Sequence, residues 1–348
     1  ILAFVNFLIH GGDQHGYSSK YLKQHKIFKS SICAVSAIFG SINKFVFIAD
    51  PIFANLTDLK TLSEKREVTI GIFANPEEFT DDVLQNLQDT YFYINISSVM
   101  CSGTNTIGAL IIDDGRQLIY IHIFESTGDY YRICSIELPE RFPFGDVDRS
   151  MDIFSVGITE INNECKMLIY EDINQYLFNY QSSKFIECNR TSMEWVLANY
   201  PELIADETIV QQRIKPGILS LKSKGNALIK RFFISDGTLL GWYRQCGIIL
   251  QSKDVDFSML WTEYDKQIHN TFLGNKDLYL FTEYGLDPGR KELRLRSDEY
   301  TFDLFVLKYN ETIKKLVGLY QEAKNNYRCL YPPINEICST DLVGLRFH

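Results

Sequence analysis

The chain has 348 residues, of which 45% are hydrophobic and 23% are charged. That composition excludes a mostly disordered protein, and the length predicts about two domains. The formal net charge of −9 excludes a general nucleic-acid binder, because such a protein presents a basic stripe to the phosphate backbone.

The chain begins with an apolar run from Ile1 to Ile9, which a polar stretch follows up to residue 30. This run is too short to cross a bilayer, since a membrane-spanning helix needs about 20 residues. It is therefore either the first strand of the fold or the end of a signal-anchor helix whose beginning is missing. We expect residues 1–30 to be an anchor remnant and a stem.

Sequons and cysteines bear on the compartment of the protein. Four Asn-x-Ser/Thr sequons favour passage through the secretory route. Their asparagines are Asn55, Asn95, Asn189 and Asn310. The eight cysteines are scattered, without CxxC pairs or the Cys/His spacing of zinc sites. Some of them could pair in an oxidising lumen, but we expect Cys134 and Cys246 to be buried thiols.

Residues 31–200 are predicted to form a sheet-rich N-terminal domain, because short runs of Ile, Val, Phe and Tyr recur between turn-like segments. Asp113-Asp114-Gly115 is typical of a hairpin turn, so we give its acids no catalytic role. Helices are expected at Pro76–Asp89 and Ser192–Ala198. The strand candidates are Phe45–Ile48, Val68–Phe73, Ile107–Ile112, Leu118–Phe124, Met167–Tyr170 and Phe185–Cys188.

Residues 201–348 are predicted to form a second domain in which helices and strands alternate, so the expected fold class is mixed α/β. Pro216-Gly217 indicates a break before an amphipathic helix whose apolar residues recur from Ile218 to Phe232. A helix through Arg244 should follow. The strand candidates here are Phe232–Ile234, Asp254–Leu260, Leu278–Thr282, Leu293–Arg296 and Tyr300–Leu307.

Asp254 and Asp256 form an Asp-x-Asp pair inside an apolar run. Side chains alternate along a strand, so both carboxylates project from one face while Val255 and Phe257 face the core. Such carboxylates repel each other unless a cation lies between them, and oxygen ligands suit Mg²⁺ or Mn²⁺. Asp303 stands alone in a later apolar strand. If that strand lies beside the first, the three acids could hold one or two metal ions.

Other residues suggest how an anionic substrate would bind. The Gly237-Thr238 turn would offer backbone N–H groups at a helix N-terminus to a phosphate, and Arg244 could contact an anionic oxygen. Asp146-Val147-Asp148 repeats the Asp-x-Asp pattern in a turn-rich segment. We interpret that second pair as a loop, although it leaves a conventional sugar transferase site as a rival hypothesis.

At these residues the chain resembles the LicD/fukutin family of phosphocholine and sugar-phosphate transferases. The resemblance lies in Asp236-Gly237-Thr238-Leu239-Leu240-Gly241 and the later Asp254-Val255-Asp256, and it extends to other segments. These are Phe47 to Pro51, Ser183 to Cys188 and Tyr331 to Cys338. The resemblance implies a nucleotidyltransferase-like catalytic domain at residues 201–348. In that domain the metal ligands or catalytic acids are Asp254, Asp256 and Asp303, and the donor-phosphate contacts are Gly237, Thr238 and Arg244.

The resemblance also implies the reaction and its setting. A phosphotransferase of this kind moves ribitol 5-phosphate, or a related sugar or alditol phosphate, from CDP-ribitol to an O-mannosyl glycan of a dystroglycan-like glycoprotein. Such an enzyme acts in the Golgi lumen, where an N-terminal anchor attaches it to the membrane beside other Golgi transferases. Because the family usually continues past Arg346-Phe347-His348, we expect an incomplete C-terminus. The alternative is a catalytically weak glycan-binding or accessory partner of Golgi glycosyltransferases, which the long N-terminal half without recognisable chemistry favours.

Overall fold

The computed structural model describes residues 31–54, 62, 64–90, 95–137, 144, 147–161, 165–204, 206–249, 253–285, 291–297, 300–322 and 325–348. The expected anchor and stem at residues 1–30, the sequon at Asn55 and the acid Asp146 lie outside these ranges. The described residues form two compact units. The first is drawn from Ile1–Ser126, Arg132–Val147 and Phe154–Ile173, and the second from Thr127–Tyr131, Asp148–Ile153 and Asn174–His348.

Helices and strands alternate along the chain, which confirms the mixed α/β fold class. In chain order the elements up to residue 170 are α1 (Ser31–Gly40), β1 (Val46–Ile48), β2 (Glu67–Phe73), α2 (Asp81–Thr90), β3 (Asn95–Met100), β4 (Ile107–Asp113), β5 (Leu118–Ser126), β6 (Tyr130–Ile133), β7 (Arg149–Asp152), β8 (Val156–Ile161) and β9 (Cys165–Tyr170). The later elements are α3 (Ile173–Gln181), α4 (Arg190–Asn199), α5 (Glu207–Ile209), α6 (Lys215–Leu228), β10 (Phe233–Ile234), α7 (Asp236–Gln245), β11 (Asp254–Leu260), α8 (Lys266–Phe272), β12 (Tyr279–Tyr284), β13 (Lys291–Ser297), β14 (Tyr300–Asn310), β15 (Lys315–Glu322), β16 (Asn325–Tyr331), β17 (Thr340–Leu342) and β18 (Leu345–Phe347). None of the described helices is long and apolar enough to traverse a bilayer.

The first unit is built on a sheet in which β3, β4, β5, β2, β1, β9 and β8 lie side by side in that order. The pairs β2/β5 and β1/β9 are parallel, and the other neighbours in this row are antiparallel. Helix α1, whose sequence reads as strand-like, is buried nearly all round, and a helix with so little polar surface belongs in a core. A disulfide between Cys33 and Cys165 ties α1 to β9.

The second unit is built on a sheet in which β10, β11, β14, β13 and β12 are neighbours. Strands β11 and β14 are parallel, whereas β13 is antiparallel to both β14 and β12. The hairpin of β15 and β16 extends this sheet from β14. Helix α8 and strands β12 and β13 separate β11 from β14 in sequence. These elements form the long connection that two adjacent parallel strands need.

One face of the second sheet packs on helices. Val255, Phe257, Phe302 and Leu304 are buried there in a cluster that includes Ile218 of α6. A Cβ atom at residue 217 would lie 2.2 Å from the ring of Phe302, so glycine allows α6 to approach the sheet. Pro216-Gly217, expected to break the chain, instead falls in the first turn of α6, where proline is tolerated.

The long continuous segment of the second unit begins at Asn174. Helix α4 packs against α7, and the Cys188–Cys246 disulfide joins the segment before α4 to the end of α7. These contacts assign residues 174–200 to the second unit. Cys134 also forms a disulfide, with Cys101, so the expectation of buried thiols at Cys134 and Cys246 was wrong.

Candidate metal and phosphate site

Three aspartates meet on the face of the second sheet that is opposite to the helix-packed core. Asp256 in β11 is directly opposite Asp303 in the parallel ladder with β14, and Asp254 precedes it by two residues on the same face. One carboxylate oxygen from each of these residues lies within 4.8 Å of the others. Asp254 is exposed, Asp256 is half-buried and Asp303 is buried. The parallel pairing of β11 with β14 is therefore what brings the three predicted acids together.

The start of helix α7 holds Asp256 in place. The backbone N–H of Gly237 donates to Asp256 Oδ2 at 2.9 Å, and the backbone N–H of Asp256 donates to the hydroxyl oxygen of Thr238 at 2.7 Å. A Cβ atom at residue 237 would lie 2.8 Å from that carboxylate oxygen, so a glycine is needed for this approach. Gly237 and Thr238 thus orient an acid of the site, and their contact with a donor phosphate stays a prediction.

Arg294 of β13 is paired directly opposite Asp303 in the antiparallel ladder. Its Nε donates to Asp303 Oδ1 at 2.8 Å and its Nη2 to Asp303 Oδ2 at 3.0 Å, which makes a two-pronged ion pair. The same Nη2 donates to Glu292 Oε1 at 2.8 Å. Arg294 and Glu292 were not predicted as site residues, although their alternation with leucines in a strand was a signal that they share one face.

The carboxylates at this site repel one another when no cation is bound. Burial and, to a smaller extent, the negative charges of Asp254, Asp236 and Asp303 together raise the pKa of Asp256 to about 7. Burial also raises the pKa of Asp303, against the opposite effect of the Arg294 guanidinium. A divalent cation between the carboxylates would relieve both effects. The ligands are all oxygen atoms, so the residues present fit Mg²⁺ or Mn²⁺.

A fourth acid lies at the edge of this cluster. Asp236 is the first residue of α7 and has a φ of 44°, in the left-handed region that few non-glycine residues adopt. The hydroxyl of Tyr331, at the end of β16, donates to both carboxylate oxygens of Asp236 at 2.9 and 3.1 Å. The β15–β16 hairpin thereby reaches the rim of the site. Only the family resemblance had drawn attention to Tyr331, because its hydrogen-bond partner Asp236 lies far away in sequence.

Arg244 and the second Asp-x-Asp pair lie elsewhere. Arg244 is near the end of α7, about 10 Å along the helix axis from Gly237, and its guanidinium donates to the side chain of Gln245. The structure does not bring it to the three acids. Asp148 belongs to no strand, as the loop interpretation expected, whereas Asp146 lies outside the described residues.

Comparisons with known proteins point to the same region. Residues 230–322 match the family model described as LicD/FKTN/FKRP, nucleotidyltransferase domain. The ribitol-5-phosphate transferase FKTN of Homo sapiens is 30% identical over 186 residues, which cover 53% of this chain and 40% of the relative. The corresponding protein of Mus musculus is 31% identical over 186 residues, covering 52% of this chain and 40% of the relative.

More distant similarity extends to other animals. An uncharacterized protein of Caenorhabditis elegans is 29% identical over 124 residues, covering 33% of this chain and 32% of that protein. No solved structure matches the chain. The alignment spans 40% of the length of the mammalian relatives. The resemblance inferred from the Gly237 turn and the Asp-x-Asp pair is confirmed, and residues 230–322, which match the LicD/FKTN/FKRP nucleotidyltransferase domain, hold the three aspartates and Arg294.

Proposed function

We propose that this protein transfers ribitol 5-phosphate, or a related sugar or alditol phosphate, from a CDP-linked donor to a hydroxyl group of a glycan. The observation that carries the proposal is the meeting of three carboxylates within a nucleotidyltransferase domain. The similarity to mammalian ribitol-5-phosphate transferases supports ribitol 5-phosphate as the transferred group. Metal dependence, the CDP donor and the glycan acceptor are parts of the proposal.

The acids and their neighbours have distinct roles in this reaction. Asp254, Asp256 and Asp303 would hold Mg²⁺ or Mn²⁺, which neutralises negative charge on a diphosphate when it is bound. Gly237 and Thr238 keep Asp256 oriented towards the other two acids. The acceptor hydroxyl oxygen forms a bond to the phosphorus atom that bears ribitol, the bond to CMP breaks, and an aspartate of the site accepts the hydroxyl proton.

We propose the Golgi lumen as the compartment and an O-mannosyl-type glycan of a glycoprotein as the acceptor. Three disulfides support an oxidising compartment, because such bonds are rare in the cytosol. The sequon asparagines Asn95, Asn189 and Asn310 are exposed, as attachment of a glycan requires. Membrane attachment through residues 1–30 and association with other Golgi transferases remain expectations.

The test uses purified protein with CDP-ribitol and an O-mannosyl acceptor. Asp254→Asn and Asp256→Asn should each reduce turnover by at least about 100-fold, because each removes a charged ligand at a metal site. Turnover should also stop when EDTA is present. The matched control is Asp82→Asn, which changes an exposed aspartate of α2 in the first unit and should leave turnover unchanged.

Binding measurements separate this proposal from the accessory-partner alternative. Titration calorimetry should detect binding of CDP to the wild-type protein in the presence of Mn²⁺, and EDTA or Asp256→Asn should abolish that binding. If wild-type protein binds no CDP with Mn²⁺ present but still binds the acceptor glycan, the transferase proposal is wrong and the accessory role is correct. Turnover that persists in both aspartate variants would refute the assignment of the site.

A further inference from the structure

Some hydrogen-bond donors of the Arg294 guanidinium have no acceptor among the described residues. An arginine side chain carries five N–H donors. The Nε donor and the two Nη2 donors make all the hydrogen bonds that Arg294 forms with described residues, and they go to Asp303 and Glu292. This leaves both Nη1 donors for a further acceptor. The side chain of Arg294 is 25% exposed, so a ligand can approach it, whereas the side chains of Asp303 and Glu292 are 3% and 0% exposed.

The orientation of this guanidinium is set before any ligand arrives. Asp303 engages it with both oxygens, Glu292 adds a third contact, and the ring of Tyr284 covers one face with its centroid 5.4 Å from the guanidinium carbon. A buried carboxylate such as Glu292 is stable when it is paired, and here it pairs with Arg294. Fixing a side chain in advance reduces the conformational entropy that binding would otherwise remove.

The position of Arg294 also suits an anionic ligand. Asp303 of β14 is paired with Asp256 of β11 on one side and with Arg294 of β13 on the other. Arg294 therefore lies on the same face of the sheet as the acids, one strand away from Asp303. Arginine binds phosphate oxygens with directed, charge-assisted hydrogen bonds. A diphosphate held at the acids therefore has a positive group beside it. Arg244, the residue that the sequence suggested for this contact, is at the other end of α7 and is paired with Gln245.

We propose that Arg294, and not Arg244, binds a phosphate oxygen of the nucleotide donor through Nη1, while Asp303 and Glu292 hold it in place. This inference rests on the proposed function, because it assigns a donor contact within the same site. It adds a substrate-binding role to a residue that would otherwise serve only to pair with buried acids.

The experiment compares three probes by titration calorimetry in the presence of Mn²⁺: CDP, CMP and cytidine. Arg294→Gln should weaken CDP binding by about 10- to 100-fold, because a charge-assisted hydrogen bond is lost, and should leave cytidine binding within about twofold. Arg294→Lys keeps the charge without the planar fork and should lose less affinity for CDP. The control is Arg190→Gln, since Arg190 is exposed at the start of α4 and should have no effect.

A second titration, with Mn²⁺ alone, separates the proposed contact from a purely positioning role. If Arg294 acts only by orienting Asp303, Arg294→Gln will weaken Mn²⁺ binding as much as CDP binding, and the proposal is overturned. Equal losses for CDP and cytidine overturn it too, as does unchanged CDP affinity. Wild-type protein that binds no CDP with Mn²⁺ would instead refute the proposed function itself.

Arg294→Gln removes the guanidinium that buried Asp303 and Glu292 share, so that variant could fail to fold. In that case the CDP affinity of Arg294→Lys provides the test. The unmodified protein offers a third measurement, in which phenylglyoxal labels arginine side chains and mass spectrometry locates the labels. With Mn²⁺ present, CDP should protect Arg294 by at least about fivefold more than cytidine does, and Arg190 should be labelled equally in both. Equal labelling of Arg294 with both probes would contradict the proposal.

Discussion

The substitution Asp256→Asn should stabilise the metal-free protein even though it is expected to reduce turnover strongly. Asp256 is half-buried and surrounded by like charges, and burial is the largest reason that its pKa rises to about 7. Asparagine has nearly the same shape, and its side-chain oxygen can still accept the hydrogen bond from Gly237. The substitution therefore removes an unfavourable charge and keeps the contact that orients the side chain.

The magnitude and the sign follow from the two pKa values. The ordinary pKa of an aspartate is 3.8, so a folded-state value of about 7 is a shift of about three units, and each unit is worth about 1.4 kcal/mol. Between these two pH values the folded state binds more protons than the unfolded state, so stability falls as pH rises through that window. Above pH 7 ionised Asp256 costs up to about 4 kcal/mol, a cost that the asparagine variant lacks.

Urea unfolding in EDTA, followed by tryptophan fluorescence, measures this difference. Trp195, Trp242 and Trp261 all belong to the second unit, so the signal reports on the unit that contains the site. At pH 8 the free energy of unfolding of Asp256→Asn should exceed that of wild type by about 1–4 kcal/mol, and this difference should disappear towards pH 4. Mn²⁺ should stabilise wild type much more than the variant. An exposed-residue control, Asp277→Asn, should match wild type at every pH. If Asp256→Asn is the less stable protein at pH 8 in EDTA, the carboxylates are not crowded as the structure has them.

Further substitutions test other parts of the structure. Gly237→Ala places a Cβ 2.8 Å from the carboxylate that Gly237 holds, so calorimetry should show at least about tenfold weaker Mn²⁺ binding with an unchanged circular dichroism spectrum. Arg346→Met should destabilise the protein by about 3 kcal/mol in urea, because Arg346 is 1% exposed and pairs with buried Asp152. Adding Asp152→Asn should recover part of that loss. Replacing Cys188 and Cys246 by alanine should cost about 2–4 kcal/mol, with Mn²⁺ affinity unaltered.

Local patterns in the sequence were sufficient to find the acids. Asp254 and Asp256 stand in an apolar run with alternation of period two, and the observed strand β11 begins at Asp254 as expected. Asp303 is a single acid among apolar neighbours, and burying such a group without a partner costs several kcal/mol. The sequence therefore indicated that Asp303 faces either solvent or a partner, although it could not say that β14 pairs in parallel with β11.

Features that depend on distant contacts escaped sequence analysis. The register of β13 against β14 puts Arg294 opposite Asp303, and no local pattern in β13 encodes that register. The same limit applies to the disulfides, since Cys33 and Cys165 are separated by 132 residues. Helix α1 was missed for a different reason. A short apolar run has the same composition in a buried helix as in a buried strand.

The site concentrates arrangements that are unfavourable in the absence of a ligand. Asp236 adopts a left-handed backbone conformation, Asp256 ionises with difficulty, and Asp303 and Glu292 are buried carboxylates that share one guanidinium. Proteins tolerate such departures from local rules mainly at functional sites. Here a divalent cation would reverse the balance, because it turns the repulsion between carboxylates into attraction for the ion. Binding the cation is therefore expected to supply stability as well as chemistry. An Mn²⁺ titration that leaves the urea midpoint of wild-type protein unchanged at pH 8 would contradict this link between the strained site and its function.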